Sequence, residues 1–220
     1  MSDFSTARGK MVDGQVRPSD VTDHRIIDAM LTLPREVFVP EDRRALAYLD
    51  LDLDVSEKGA PKRYLIKPMV VAKMIQAADI QSADNVLVVG CATGYTAALA
   101  AHLAGRVTAT EGDPVLAAKA ADILATLGLD RVNVVNAPAA EGAPAGAPYD
   151  AIILEGATGV VPELLYRQLG DEGRLVGVFA MSTPRAVLVT HSHSDFGDRP
   201  LFDASAPVLP GLERPPAFVF

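Results

Sequence analysis

The chain is expected to fold as an α/β protein: a doubly wound, mostly parallel sheet of about seven strands, preceded by an N-terminal helical extension. Three observations lead there. From Asn85 onward, short apolar runs rich in β-branched residues alternate with stretches of helical character, the pattern of βαβ units covered on both faces. The first run, Val86–Val89, ends in a glycine turn, Gly90–Tyr95 (GCATGY). The second run is followed by an acid, Glu111. Crossovers in such sheets are right-handed, and ligands bind beyond the carboxyl ends of the strands, near the switch in strand order. Function is therefore sought after Val89, Thr110, Val135 and Leu154.

Residues 1–22 are polar and mixed and read as a loose arm or a short helix. In His24–Leu33 the residues Ile26, Ile27, Met30 and Leu31 recur at helical spacing, with Asp23 placed to cap the helix and Pro34 to end it. A short helix is plausible at Glu41–Tyr48. The run Leu49–Asp54 (LDLDLD) alternates with period two and reads as an edge strand with a wet face; it lacks the spacing and glycine of an EF-hand calcium loop. Met69–Ala78 reads as a helix behind Pro68. In the core, strands are expected at Val86–Val89, Arg106–Thr110, Val132–Val135, Ala151–Leu154, Arg174–Ala180 and Ala186–Thr190, with Ala217–Phe220 as a seventh. Helices are expected at Thr96–Leu103, Pro114–Leu127 and Pro162–Leu169, the last with proline in its favoured first turn. Ala137–Pro148, rich in Ala, Pro and Gly, reads as a loop between strands. Residues 1–220 are taken as one domain, with 1–80 as the extension on the substrate side and 81–220 as the core.

Composition narrows the function classes. A net charge of −8 and a pI near 4.9 argue against nucleic acid and anionic lipid as partners, because both need a basic footprint. A hydrophobic content of 49% excludes a disordered chain. The single cysteine excludes an intrachain disulfide and a Cys-rich zinc site. No apolar run approaches the ~18 residues of a spanning helix. The opening MSDFSTARGKMVDGQV has no apolar stretch of secretory type, so a soluble, cytoplasmic protein is expected. The segment Thr190–Asp195 (THSHSD) superficially resembles a metal motif, but no histidine follows His193; it reads as a polar hairpin turn, and no metal is expected.

The turn GCATGY is not the dinucleotide pattern, because Ala92 and Tyr95 stand where glycines are required, and no Lys-Ser/Thr follows to make a phosphate loop. Its spacing is closer to the G-x-G-x-G turn of S-adenosylmethionine enzymes, with Ala92 as the middle residue. Gly90 serves the sharp turn, and Gly94 allows close backbone approach or a helix start close to the sheet. Cys91 and Thr93 complete the turn, Cys91 at a helix head where its pKa could fall. Glu111 is placed to accept hydrogen bonds from ribose hydroxyls; that device signals a nucleoside and is shared by NAD and S-adenosylmethionine sites. Glu155, at the end of the fourth core strand, faces the expected cleft and reads either as a contact to cofactor or substrate or as an ordinary loop acid.

At this point the chain resembles the protein-L-isoaspartate O-methyltransferases. The resemblance is carried by MVDGQVRPSDVTDHRIIDAMLTLPREVFVPEDRRALAYLDLDL, by NVLVVGCATGYTAALAAHLAGRV and by PYDAIILEGATGVVPELLYRQLGDEGRLVGV, and spans most of residues 11–180. It implies a Rossmann-like fold and methyl transfer from S-adenosylmethionine to the carboxylate of isoaspartyl residues in damaged proteins, leaving S-adenosylhomocysteine. Carried over by position, it implies cofactor contacts from Gly90, Cys91, Ala92, Thr93, Gly94, Glu111, Gly112, Pro138, Ala139 and Glu155.

The chain departs from the family at three places. Lys62–Pro68 (KRYLIKP) stands where the family has Gly-x-x-Ile-Ser-x-Pro, so Ile66 replaces the serine beside the substrate. Either another group takes over at that catalytic position, with Tyr64 and Lys67 as the candidates, or the substrate differs. Val88 replaces an acid in the first strand, and Pro138–Ala139 replaces the Asp-Gly that reads the adenine. Each lost hydrogen bond is worth roughly 0.5–1.5 kcal/mol. A catalytically impaired binding or regulatory protein on the same fold is the alternative, as is another carboxylate substrate.

Overall fold

The N-terminal stretch is helical in the computed structural model, which describes residues 4–193 and 195–215. Helix α1 (Phe4–Met11) runs on through a π-helical turn (Val12–Val16) and a 3-10 turn (Arg17–Ser19). Helix α2 (His24–Thr32) buries Ile26, Ile27 and Met30, as its periodicity requires, and Asp23 caps it by accepting the Arg25 N–H at 2.8 Å. Short 3-10 segments follow at Arg35–Phe38 and Glu41–Leu46. The acidic run is a strand only at its end: β1 (Leu53–Asp54) pairs antiparallel with β2 (Tyr64–Leu65). Asp52 instead folds back and accepts the Lys67 N–H at 3.0 Å, which draws the acid off a strand ladder. Helix α3 (Pro68–Ala78) completes the extension.

The core alternates as expected: β3 (Asn85–Val89), α4 (Tyr95–Leu103), β4 (Arg106–Glu111), α5 (Pro114–Thr126), β5 (Val132–Asn136), β6 (Tyr149–Thr158), α6 (Glu163–Tyr166), β7 (Leu169–Phe179), β8 (Arg185–Ser192) and β9 (Asp195–Asp203). The sheet order is β5-β4-β3-β6-β7-β8-β9, parallel from β5 to β7 and antiparallel from β7 to β9. The order reverses at β3, so the crevice lies over the tips of β3, β4 and β6.

Three expectations need correction. The helix expected over Pro162–Leu169 is a single turn, because Leu169 pairs with Tyr149 and already belongs to β7. Strand β6 extends to Thr158, past Leu154. Strand β9 was not foreseen: its residues are mostly exposed and polar and show no apolar alternation, yet it pairs along its length with β8. The seventh strand expected at Ala217–Phe220 lies outside the described residues. Thr190–Asp195 is indeed the β8–β9 hairpin turn, with His193 left-handed at φ +59°.

Apolar packing on the two sheet faces fixes the crevice walls. On one face Val86, Val88 and Ile153 share a core with the extension through Phe38, Ile66 and Met74. Helix α4 lies between; its side chains are buried almost all round, which accounts for its run of alanines. On the other face Leu87, Val89 and Leu154 pack with Leu165 and Leu209. Leu209 belongs to a C-terminal segment that crosses the strand tips: Val208 bridges to Ala157, and the Leu209 N–H donates to the Ala157 carbonyl at 2.8 Å.

Candidate active site

The turn after β3 is built from left-handed residues: Gly90 at φ +70°, Ala92 at φ +51° and Gly94 at φ +98°. At Gly90 glycine is required twice over, by φ and by space. A Cβ there would lie 2.6 Å from Leu209 Cδ2 and 2.8 Å from Arg63 Nη2. Gly94 lets α4 start against α5, where a Cβ would meet Leu124 at 3.3 Å. The Thr93 hydroxyl turns away and donates to the Phe38 carbonyl at 2.6 Å, tying the turn to the extension. Cys91 is buried, and burial, reinforced by the negative charges of Glu111 and Glu155, pushes its thiol up. That corrects the lowered pKa expected from its place at a helix head: desolvation outweighs the helix dipole.

Glu111 ends β4 at 1% exposure, and its carboxylate is fully engaged. Oε2 accepts the Ala92 N–H at 2.7 Å and Arg63 Nη2 at 2.9 Å. Oε1 accepts Arg63 Nε at 3.0 Å and the Asp113 N–H at 3.1 Å. Arg63 Nη2 also donates to the Gly90 carbonyl at 2.7 Å. A cleft of about 480 Å³ opens beside this pair, lined by Pro61, Gly112, Pro138, Ala139 and Pro210 among others. Glu111, Gly112, Pro138 and Ala139 are thus together, and no Cβ-sized obstacle closer than 3.8 Å stands over Gly112.

The expected catalytic residues lie elsewhere. Ile66, Tyr64 and Lys67 do not line this cleft. Ile66 is 1% exposed; its side chain is in the core, its carbonyl accepts Arg35 Nη2 at 2.9 Å and its N–H donates to Glu155 Oε1 at 3.3 Å. Tyr64 is half-buried on β2, and Lys67 precedes α3. Glu155 is not open to the cleft either. It is buried beside Ile66 and accepts the Thr96 hydroxyl, in a stretch where the register between β6 and β7 shifts, an irregularity that re-aims side chains. Burial pushes its carboxyl up to about 7, against the opposing pull of the Thr96 hydroxyl and the Arg35 charge.

Sequence reasoning missed four residues: Arg63, Arg35, Thr96 and Leu209. Arg35 is wholly buried, donates to the carbonyls of Ala47 and Ile66, and lies 4.5 Å from the Tyr95 ring centre. The one available signal was Arg63 itself, a cation at the edge of the KRYLIKP segment with an acid in need of a partner.

A glycine turn after the first core strand, an acid at the tip of the next, and a cleft of ligand size between them define a Rossmann-like α/β protein of the methyltransferase class. The family model described as Protein-L-isoaspartate(D-aspartate) O-methyltransferase matches residues 7–193, and the chain belongs to that family. Among similar proteins, the protein-L-isoaspartate O-methyltransferase of Rhodopseudomonas palustris is 42% identical over 76% of this chain and 74% of its own length. That of Methanoculleus marisnigri is 38% identical over 77% and 75%. A solved protein-L-isoaspartate O-methyltransferase superposes with a TM-score of 0.83 at 23% identity, covering 94% of this chain and 67% of its own; at that identity it speaks for the fold. Among the described residues, no helix is long and apolar enough to cross a membrane.

Whether the cleft suits S-adenosylmethionine can be tested on the side chains present. On the nucleoside side, Glu111, the open Gly112 and the Pro138–Ala139 wall border a free volume, with the Glu111 carboxylate held by Arg63 and two backbone N–H groups. The turn itself is covered by Arg63 and Leu209, which fill the space a Gly90 Cβ would take.

Proposed function

We propose that this chain transfers the methyl group of S-adenosylmethionine to the carboxylate of isoaspartyl residues in damaged proteins, as a repair enzyme. The observation that carries the reading is Glu111 at the tip of β4, over an open cleft and beside the glycine turn, in a chain of this family. When bound, the cofactor supplies an electrophilic methyl group. Glu111 would hold its sugar, Gly112, Pro138 and Ala139 would flank its base, and the turn backbone would border the rest. The acceptor carboxylate is already ionised at neutral pH, so no general base is needed; alignment supplies most of the acceleration. This agrees with a site whose buried acid, Glu155, is held by Thr96 and the Ile66 N–H and is turned away from the cleft. Damaged proteins are the partners in this reading, and the cytoplasm is its setting.

The full engagement of Glu111 by Arg63 favours one second reading, a fold that binds the nucleoside with little transfer. A radiolabelled methyl-transfer assay separates the two. Base-labile label on an isoaspartyl peptide, absent from its aspartyl counterpart, is the expected result. Cofactor binding with no label on either peptide would overturn isoaspartyl transfer.

A further inference from the structure

We propose that Arg63 is the chain's own competitor for the cofactor's sugar, so that nucleoside binding is a displacement in which ribose hydroxyls take over the two positions on Glu111 that the guanidinium holds. This rests on the reading of the cleft as an adenosyl site. An ionised carboxylate offers about four acceptor positions. On Glu111 all four are taken: two by the backbone N–H groups of Ala92 and Asp113, two by Arg63 Nε and Nη2. A ribose diol brings two donors and needs two vacancies. The backbone donors cannot supply them. Ala92 is set in a left-handed turn whose next residues tie to Phe38 and α5, and Asp113 caps α5 by accepting the N–H groups of Val115 and Leu116. Arg63 is held at that end by its side chain alone, on a long flexible stem, and it borders the cleft. It is the donor that can leave.

The exchange is conservative in number and not in strength. Two forked, charge-assisted bonds between groups 6% and 1% exposed give way to bonds from neutral hydroxyls. Arg63 therefore weakens the affinity for the cofactor while it keeps a buried carboxylate satisfied in the free protein. The Arg63 backbone is anchored, its N–H donating to Ser56 Oγ at 2.6 Å, so the exchange asks only its side chain to move.

Calorimetric titration of the full chain with S-adenosylhomocysteine tests the proposal on wild type, Arg63→Gln and Arg63→Lys, with melting curves to establish that each variant is folded. Arg63→Gln is expected to bind at least about tenfold more tightly than wild type, and Arg63→Lys, which keeps the charge without the fork, to fall between. The gain should vanish for the 2′,3′-dideoxy analogue, which has no hydroxyls to offer Glu111; a variant that merely loosens the cleft would retain it. Should Arg63→Gln not fold, a gain in Arg63→Lys of about threefold or more carries the same meaning. Wild type that binds while both variants bind equally or more weakly overturns the displacement and leaves the adenosyl site standing. No binding by any of the three at millimolar ligand overturns both.

Discussion

Glu155 is buried beside Ile66 and Thr96, and its environment sets a measurable pH dependence. Its carboxyl has an ordinary value of 4.5 and is raised to about 7 in the fold by burial. Between those values the folded chain holds a proton that the unfolded chain has lost. The contribution of this group therefore favours the fold fully below about pH 4.5 and disappears as pH rises through about 7. We expect wild type to lose on the order of 2 kcal/mol more than Glu155→Gln between pH 5 and pH 8 in urea denaturation. Parallel pH profiles would show that Glu155 is ionised throughout. Ala92 gives a second test at this scale. It sits at φ +51°, where a Cβ is strained. Ala92→Gly is expected to raise stability by about 0.5–1 kcal/mol, read from the same denaturation midpoints, the relief of strain outweighing the entropy of the more flexible unfolded chain.

Elements with a local physical signature were legible in the sequence. Asp23, the Ile26–Met30 spacing and Pro34 define α2 without help from the rest of the chain, and the structure returns that helix with its cap. Asp23→Ala should cost about 1 kcal/mol of stability and leave cofactor affinity unchanged, since the cap lies on the extension and not at the cleft. The core strands were legible for the same reason: Val86–Val89 is buried on both faces and must be apolar throughout. Strand β9 was not, because an exposed edge strand makes its backbone bonds with any side chains, and DFGDRPLFD carries no alternation. The single-turn α6 failed in the opposite sense: Pro162 announces a helix, but the pairing of Leu169 with Tyr149 claims the chain three residues after the helix ends at Tyr166.

At the scale of the molecule, the site is a meeting of three distant pieces: the turn after β3, Arg63 from the hairpin and Leu209 from the C-terminal segment. The turn and Glu111 were legible because they follow the two parallel strands of one βαβ unit. Arg63 and Leu209 were not, because they reach Gly90 only through tertiary packing, and Leu209 lies beyond residues 7–193, where the family model matches. Leu209 is 1% exposed and packs on the tips of β3 and β6. Leu209→Ala should cost roughly 2–4 kcal/mol of stability by differential denaturation, the loss expected for a buried leucine whose cavity collapses only in part. A loss near zero would mean that the segment does not rest on the strand tips in solution. The central claim is that the tip of β4 grips the sugar of an adenosyl cofactor, and a crystal structure of the chain with S-adenosylhomocysteine tests it most directly. The account predicts both ribose hydroxyls on the Glu111 carboxylate, the base against Pro138 and Ala139, and the Arg63 guanidinium displaced. A ligand bound elsewhere on the molecule, with the Arg63–Glu111 pair intact, would contradict it.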